Sequence, residues 1–157
     1  MTKSKIIDRD LGYKDIMKRL KGLDGEHIVE VGVPATAGQY EDGANQVLVA
    51  SVNEFGSSDG RIPERSFLRS TVDENTTKYA DLLSRLIGEA VDGRLTIEQA
   101  LDRLGLKAVA DVQRKIVQLD DPPNAEATIE RKRSSNPLID TGQLRQSIIH
   151  RVNKPDE

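Results

Sequence analysis

The spacing of apolar side chains divides the chain into segments. Leu11, Ile16, Met17, Leu20 and Leu23 fall on roughly one stripe and predict a short helix, capped by Asp8 or Asp10 and ended by the turn pair Asp24-Gly25. His27 to Val33 is rich in β-branched residues and stops at Pro34, the pattern of a strand. Residues 35–44, with Gly38, Asp42 and Gly43, read as a surface loop. The apolar run from Val47 to Phe55 fits a buried strand or a helix. Leu48, Val52 and Phe55 at i, i+4 and i+7 favour the helix, and Gly56 is placed to end it. Residues 57–66 show no periodicity and predict a loop of about ten residues, longer than most.

Two longer helices follow. Thr76 to Val91 sets Tyr79, Leu82, Leu83, Leu86, Ile87 and Ala90 at helical spacing before Asp92-Gly93. Thr96 and Gln99 stand in capping-box register, and the stripe Ile97, Leu101, Leu104, Ala108, Val112, Ile116, Leu119 runs on from them. Gly105 interrupts it at a cost of about 1 kcal/mol, which burial of the larger side chains outweighs. Asp120-Asp121-Pro122-Pro123 breaks the helix. A short helix from Ala125 to Arg133 with Asn124 as its cap comes next, and then a loop at 134–137. Asp140 is placed to cap a last turn, with Gln143 at its third position, before a strand from Ser147 to Val152. If the strands near 27–33 and 147–152 pair antiparallel, a small sheet joins the two ends and the helices pack on one face. The fold predicted is α+β, predominantly helical, in one domain over residues 1–157 with a flexible arm at 1–10 and a tail at 153–157.

Composition narrows the chemistry. Leu, Ile, Val and Phe supply 41 of 157 residues, above the roughly one-fifth below which disorder is the default. Tyr13, Tyr40, Phe55, Phe67 and Tyr79 are the only aromatics, too few for a stacking platform on single-stranded nucleic acid. Cysteine is absent, which removes disulfides, thiolate nucleophiles and Cys-based zinc sites; His27 and His150 alone do not make a histidine-rich metal centre. No cofactor is expected. The N-terminus lacks the apolar core of a secretory signal, and a cytoplasmic origin is the default expectation. The net charge of −3 lacks the basic excess of a tight sequence-independent DNA binder.

Three segments carry a resemblance: Val52-Asn53-Glu54-Phe55-Gly56 with Arg61-Ile62-Pro63-Glu64-Arg65-Ser66-Phe67-Leu68-Arg69; Pro122-Pro123-Asn124-Ala125 with Thr128, Ile129 and Lys132; and Pro137 to Ile148, which holds Leu138-Ile139-Asp140-Thr141-Gly142-Gln143-Leu144. Together, in order, over about Val29 to Val152, they resemble the neck and tail-completion proteins of tailed double-stranded DNA bacteriophages. The resemblance implies a structural, non-enzymatic subunit of a homo-oligomeric ring, six-fold or twelve-fold, at the neck, tail-completion or tail-terminator station. Its neighbours would be portal-side head-closure proteins and the tail tube, with DNA passing through and no membrane involved. It also implies assembly in the host cytoplasm and residence in the virion. Ser66 stands where relatives often carry a second proline, a change expected to loosen the start of the next helix.

A closing ring needs two different patches on each subunit. The loop 56–66 suits one of them, reading as mobile until a neighbour orders it, with Pro63 lowering the entropy lost. Glu54, Phe55, Gly56, Arg61, Pro63, Arg65, Phe67, Leu68 and Arg69 are the candidate interface residues. Glu54 is a candidate carboxylate for Arg61, Arg65 or Arg69, within or across subunits, and Phe55, Phe67 and Leu68 also read as core, the favoured reading for the two phenylalanines. Asp140, Thr141, Gly142, Gln143 and Leu144 form a capping motif; a lone Asp-Thr-Gly with no second copy is a helix cap and not half of an aspartic-protease dyad. The basic run Arg131-Lys132-Arg133 reads as a solvated face, and His27 and His150 as core or rim. Asp120, Asp121, Glu126 and Glu130 straddle two prolines and read as surface carboxylates. A small metal-dependent nuclease or a DNA-binding regulator of phage origin stands as the alternative.

Overall fold

The computed structural model describes residues 12–21, 27–132, 136–139 and 141–153. Among these described residues, six helices and two strands follow in the order α1 (Tyr13–Lys21), β1 (Ile28–Gly32), α2 (Gln46–Phe55), α3 (Arg69–Val91), α4 (Ile97–Gln118), α5 (Glu126–Lys132), α6 (Gln143–Gln146) and β2 (Ile149–Asn153). The architecture is α+β and predominantly helical, and β1 and β2 pair antiparallel as a two-stranded sheet. Val31 lies opposite His150, and Glu30 opposite Arg151. The arm at 1–10, the turn Asp24-Gly25, Asp140 and most of the tail lie outside the described residues.

A two-stranded ribbon is marginal in water unless a helix backs it, and α4 does so here. The capping box is complete: Thr96 Oγ1 accepts from Gln99 N, and Gln99 Oε1 from Thr96 N. The approach of the sheet depends on Gly105, since a Cβ there would lie 2.2 Å from His150 Cδ2. His150 Nε2 sits 2.8 Å from Asp102 Oδ1, one turn earlier on α4. The glycine that counts against the helix locally therefore makes room for the sheet.

α3 and α4 form an antiparallel hairpin, tied by Arg103 to Glu89 and by Lys115 to Glu74. Between these ties, Asp111 is buried and holds Tyr79 Oη, Lys107 and Arg114. Burial, then the Asp111 charge and hydrogen bond, push the Tyr79 phenol up to about 12. The core runs from α4 (Val112, Ile116) to Phe67, Ala50, Leu138, Leu144 and Ile148, with Val31, Val33, Leu68, Val109, Leu119 and Ile139 packed against it.

The structure corrects three predicted boundaries. α3 begins at Arg69, seven residues before Thr76, because a carboxylate from α2 caps it there, Glu54 accepting from Phe67 N, Leu68 N and Arg69 N. Gln143 is the first residue of α6 and not its third; Gly142, at φ 79°, occupies the cap position with no side-chain cap bond. β2 begins at Ile149, since Ser147 ends α6 and Ile148 enters the core.

Candidate functional site

The residues of the first resemblance segment build a junction between the end of α2 and the start of α3. Asn45 caps α2, its Oδ1 accepting from Val47 N and Leu48 N. At the other end Gly56 has φ 78°, and a Cβ there would sit 3.1 Å from Glu64 N and 3.2 Å from Ile62 O. Both the backbone angle and the close approach call for glycine. The chain then turns back through residues 57–62, closed by Ser57 N to Ile62 O (2.8 Å) and Ile62 N to Ser57 Oγ (2.8 Å). Asp59 Oδ1 accepts from Ser57 Oγ and Arg61 N. The segment is a turn closed by its own hydrogen bonds.

Glu54 organises the junction. It is 3 % exposed, and its carboxylate accepts from Phe67 N (2.8 Å), Leu68 N (2.8 Å), Arg69 N (3.0 Å) and Ser66 Oγ (2.7 Å). The first N–H groups of a helix have no intrahelical partner, and α3 has no side-chain cap of its own at Leu68. A carboxylate from another helix takes that role, in the favourable field of the α3 N-terminus. Burial pushes the Glu54 carboxyl upward, but the bonds from Leu68, Arg69, Ser66 and Phe67 outweigh it and hold it below its ordinary value. Ser66, expected to loosen the start of α3, tightens it: its hydroxyl donates to Glu54 and accepts from Ser70 N (3.2 Å).

The arginines divide by role. Arg69 donates from Nε to Glu54 Oε1 and from one terminal nitrogen to Glu54 O and Glu64 Oε1, with its guanidinium carbon 4.6 Å from the centroid of the Phe55 ring. The Glu54 bond leads in holding its charge more firmly than usual. Arg65 is buried and donates to the carbonyls of Pro122 (2.7 Å) and Pro123 (2.9 Å), so the second segment docks on the first. Its burial lowers its proton affinity. Arg61 is exposed beside Asp59. Of the candidate carboxylate partners, Glu54 meets Arg69 alone, within the chain.

Phe67 is fully buried and Leu68 packs on the core, whereas Phe55 is 62 % exposed. The core assignment of Phe55 is therefore corrected. The physical reason lies in the orientation of α2, which buries Gln46, Ala50 and Glu54 and turns Leu48 (62 % exposed) and Phe55 outward. The inward stripe is the one that must carry Glu54 to the α3 terminus.

The third segment completes the arrangement. Leu144 is buried in the core, and Thr141 Oγ1 accepts from Gln143 N (3.4 Å). Thr141, Gly142, Gln143 and Leu144 join Pro63 and Arg65, Pro123 to Ala125, and Tyr40 and Asp42 around a groove of about 650 Å³. All three segments thus meet at one place. Asp120 and Asp121 are exposed and line a separate groove of about 540 Å³ beside Glu64, Glu74 and Lys115. Glu126 and Glu130 are exposed, and the side chains of the run 131–133 lie outside the described residues. His150 faces Asp102 and α4. Among the described residues no three His, Asp or Glu side chains are grouped to hold a metal ion, and no helix is long and apolar enough to cross a membrane.

Sequence reasoning missed the Tyr79–Asp111 cluster, although the i,i+4 spacing of Lys107 and Asp111 and the i,i+3 spacing of Asp111 and Arg114 signal it. It also missed Arg19, which donates to Val91 O (3.0 Å) at the α3 C-terminus, over Gly93. Comparison of the chain with family profiles, with curated proteins and with solved structures finds no match.

Proposed function

We propose that this chain is a structural subunit of the head–tail junction of a tailed double-stranded DNA bacteriophage. It would assemble as a ring, six-fold or twelve-fold, between portal-side head-closure proteins and the tail tube. The observation that carries the reading is the outward apolar stripe of α2. A helix that buries Gln46 and Glu54 while presenting Leu48 and Phe55 to water gives up burial it could have had within the chain. Such a face acts by being covered by another protein. The meeting of the three resemblance segments at one groove supports the same reading, because it makes the shared residues parts of one unit. With a net charge of −3 the subunit suits a channel wall, since a basic wall would hold passing DNA by its phosphates.

The test is genetic and compositional. Phage lacking the gene product are expected to accumulate filled heads and unattached tails, and mass spectrometry of intact particles is expected to find the chain at six or twelve copies. Joined, infectious particles without it overturn the reading, as would Mg²⁺-dependent cleavage of DNA by the purified chain that is lost on changing Asp120 or Asp121.

A further inference from the structure

Among the described residues, α1 and α2 each leave an apolar face open. α1 has no fully buried residue and presents Tyr13 (68 % exposed), Ile16 and Met17 at i, i+3 and i+4. α2 presents Leu48 and Phe55 with Val52 between them. Their net charges are opposite. α1 carries Lys14, Lys18, Arg19 and Lys21 against a lone Asp15, whereas the exposed charges on α2 and its flanks over residues 41–69 are Glu41, Asp42, Asp59 and Glu64 against Arg61 and Arg69, the last stacked on Phe55.

The two faces cannot meet within one copy. Arg19 ties α1 to the C-terminal end of α3, and Glu54 ties α2 to its N-terminal end. The 23 residues of α3 hold those ends roughly 34 Å apart at the rise of an α-helix. Resting on the ring reading above, we propose that adjacent subunits join head to tail, the apolar face of α1 on one copy lying against the α2 face of the next. Two unlike patches at opposite ends of a rigid helix make a heterologous contact, the kind that generates a ring when the rotation closes. Opposite charge around the patches selects this pairing over α1 on α1 or α2 on α2.

The absence of cysteine makes the contact directly testable. Met17→Cys and Ser51→Cys place one thiol on each face of the full chain. On oxidation the double variant is expected to give a ladder of covalent multimers ending at the closed number, and each single variant at most a dimer. Tyr13→Cys replaces Met17→Cys should that variant fail to fold. A double variant that yields no ladder, or dimers alone, overturns the proposal, and so does binding of α1 to phosphatidylglycerol vesicles in place of the ladder. Light scattering on the unmodified chain separates the two readings. Multimers without the ladder remove this contact and leave the ring; a monomer that is also missing from particles removes the ring itself.

Discussion

Glu54 concentrates the stability of the α2–α3 junction in one side chain. Replacing it with Gln removes the charge and one acceptor oxygen from a cluster of N–H donors, and the expected loss is about 2 kcal/mol, read by urea unfolding near neutral pH. The pH dependence has a definite sign. Because its folded value lies below the unfolded one, the Glu54 contribution is whole above the ordinary carboxylate value of about 4.3 and disappears as pH falls through the lower folded value. The stability gap between the native chain and Glu54→Gln should therefore narrow on acidification, and a gap that stays constant down to acid unfolding would count against the capping role. Gly105 gives a second residue-scale expectation. Alanine is the better helix former by about 1 kcal/mol, yet Gly105→Ala should destabilise by about 1–3 kcal/mol, since its methyl would overlap the His150 ring. Most of that loss should vanish in the Gly105→Ala/His150→Ala pair when the cycle is measured by thermal unfolding.

Elements here are held by side chains reaching from other elements, and that decides what could be read in advance. α4 was legible because its signals are local: the capping box, the apolar stripe and the double proline after it. The strand pairing was legible as well, since β-branched runs at the two ends have no other partner in the pattern. The first seven residues of α3 were not, because Ser70 to Asn75 are mostly polar and their cap, Glu54, stands twelve or more residues earlier. The stripe Leu48, Val52, Phe55 identified α2 as a helix but pointed it the wrong way round, as periodicity locates a face without saying whether the fold or a partner covers it. Of the candidate site, the residue types were legible and their destinations were not; nothing near Arg65 in sequence announces that Pro122 and Pro123 receive it. Arg65→Met should accordingly free the 119–125 segment, with amide exchange rising there and about 2–3 kcal/mol lost overall.

For the molecule as a whole, the proposed assembly places stability and association on different surfaces. Leu48 is the third residue of α2, where a carboxylate is welcome. Leu48→Glu should therefore leave the melting temperature nearly unchanged, within about 0.5 kcal/mol in stability, while light scattering shows loss of multimers. A matching fall in both would mean that the face belongs to the fold. The sheet has a consequence of a different kind. Glu30 and Asn153, bonded across it, are 123 positions apart in the chain, so during translation β1 cannot pair until β2 has left the ribosome. Long-range closure of this sort is slow, and chains cut short by premature termination would never acquire the backing that α4 gives to a paired ribbon. The late seam thus withholds the complete fold from any chain that stops short of β2.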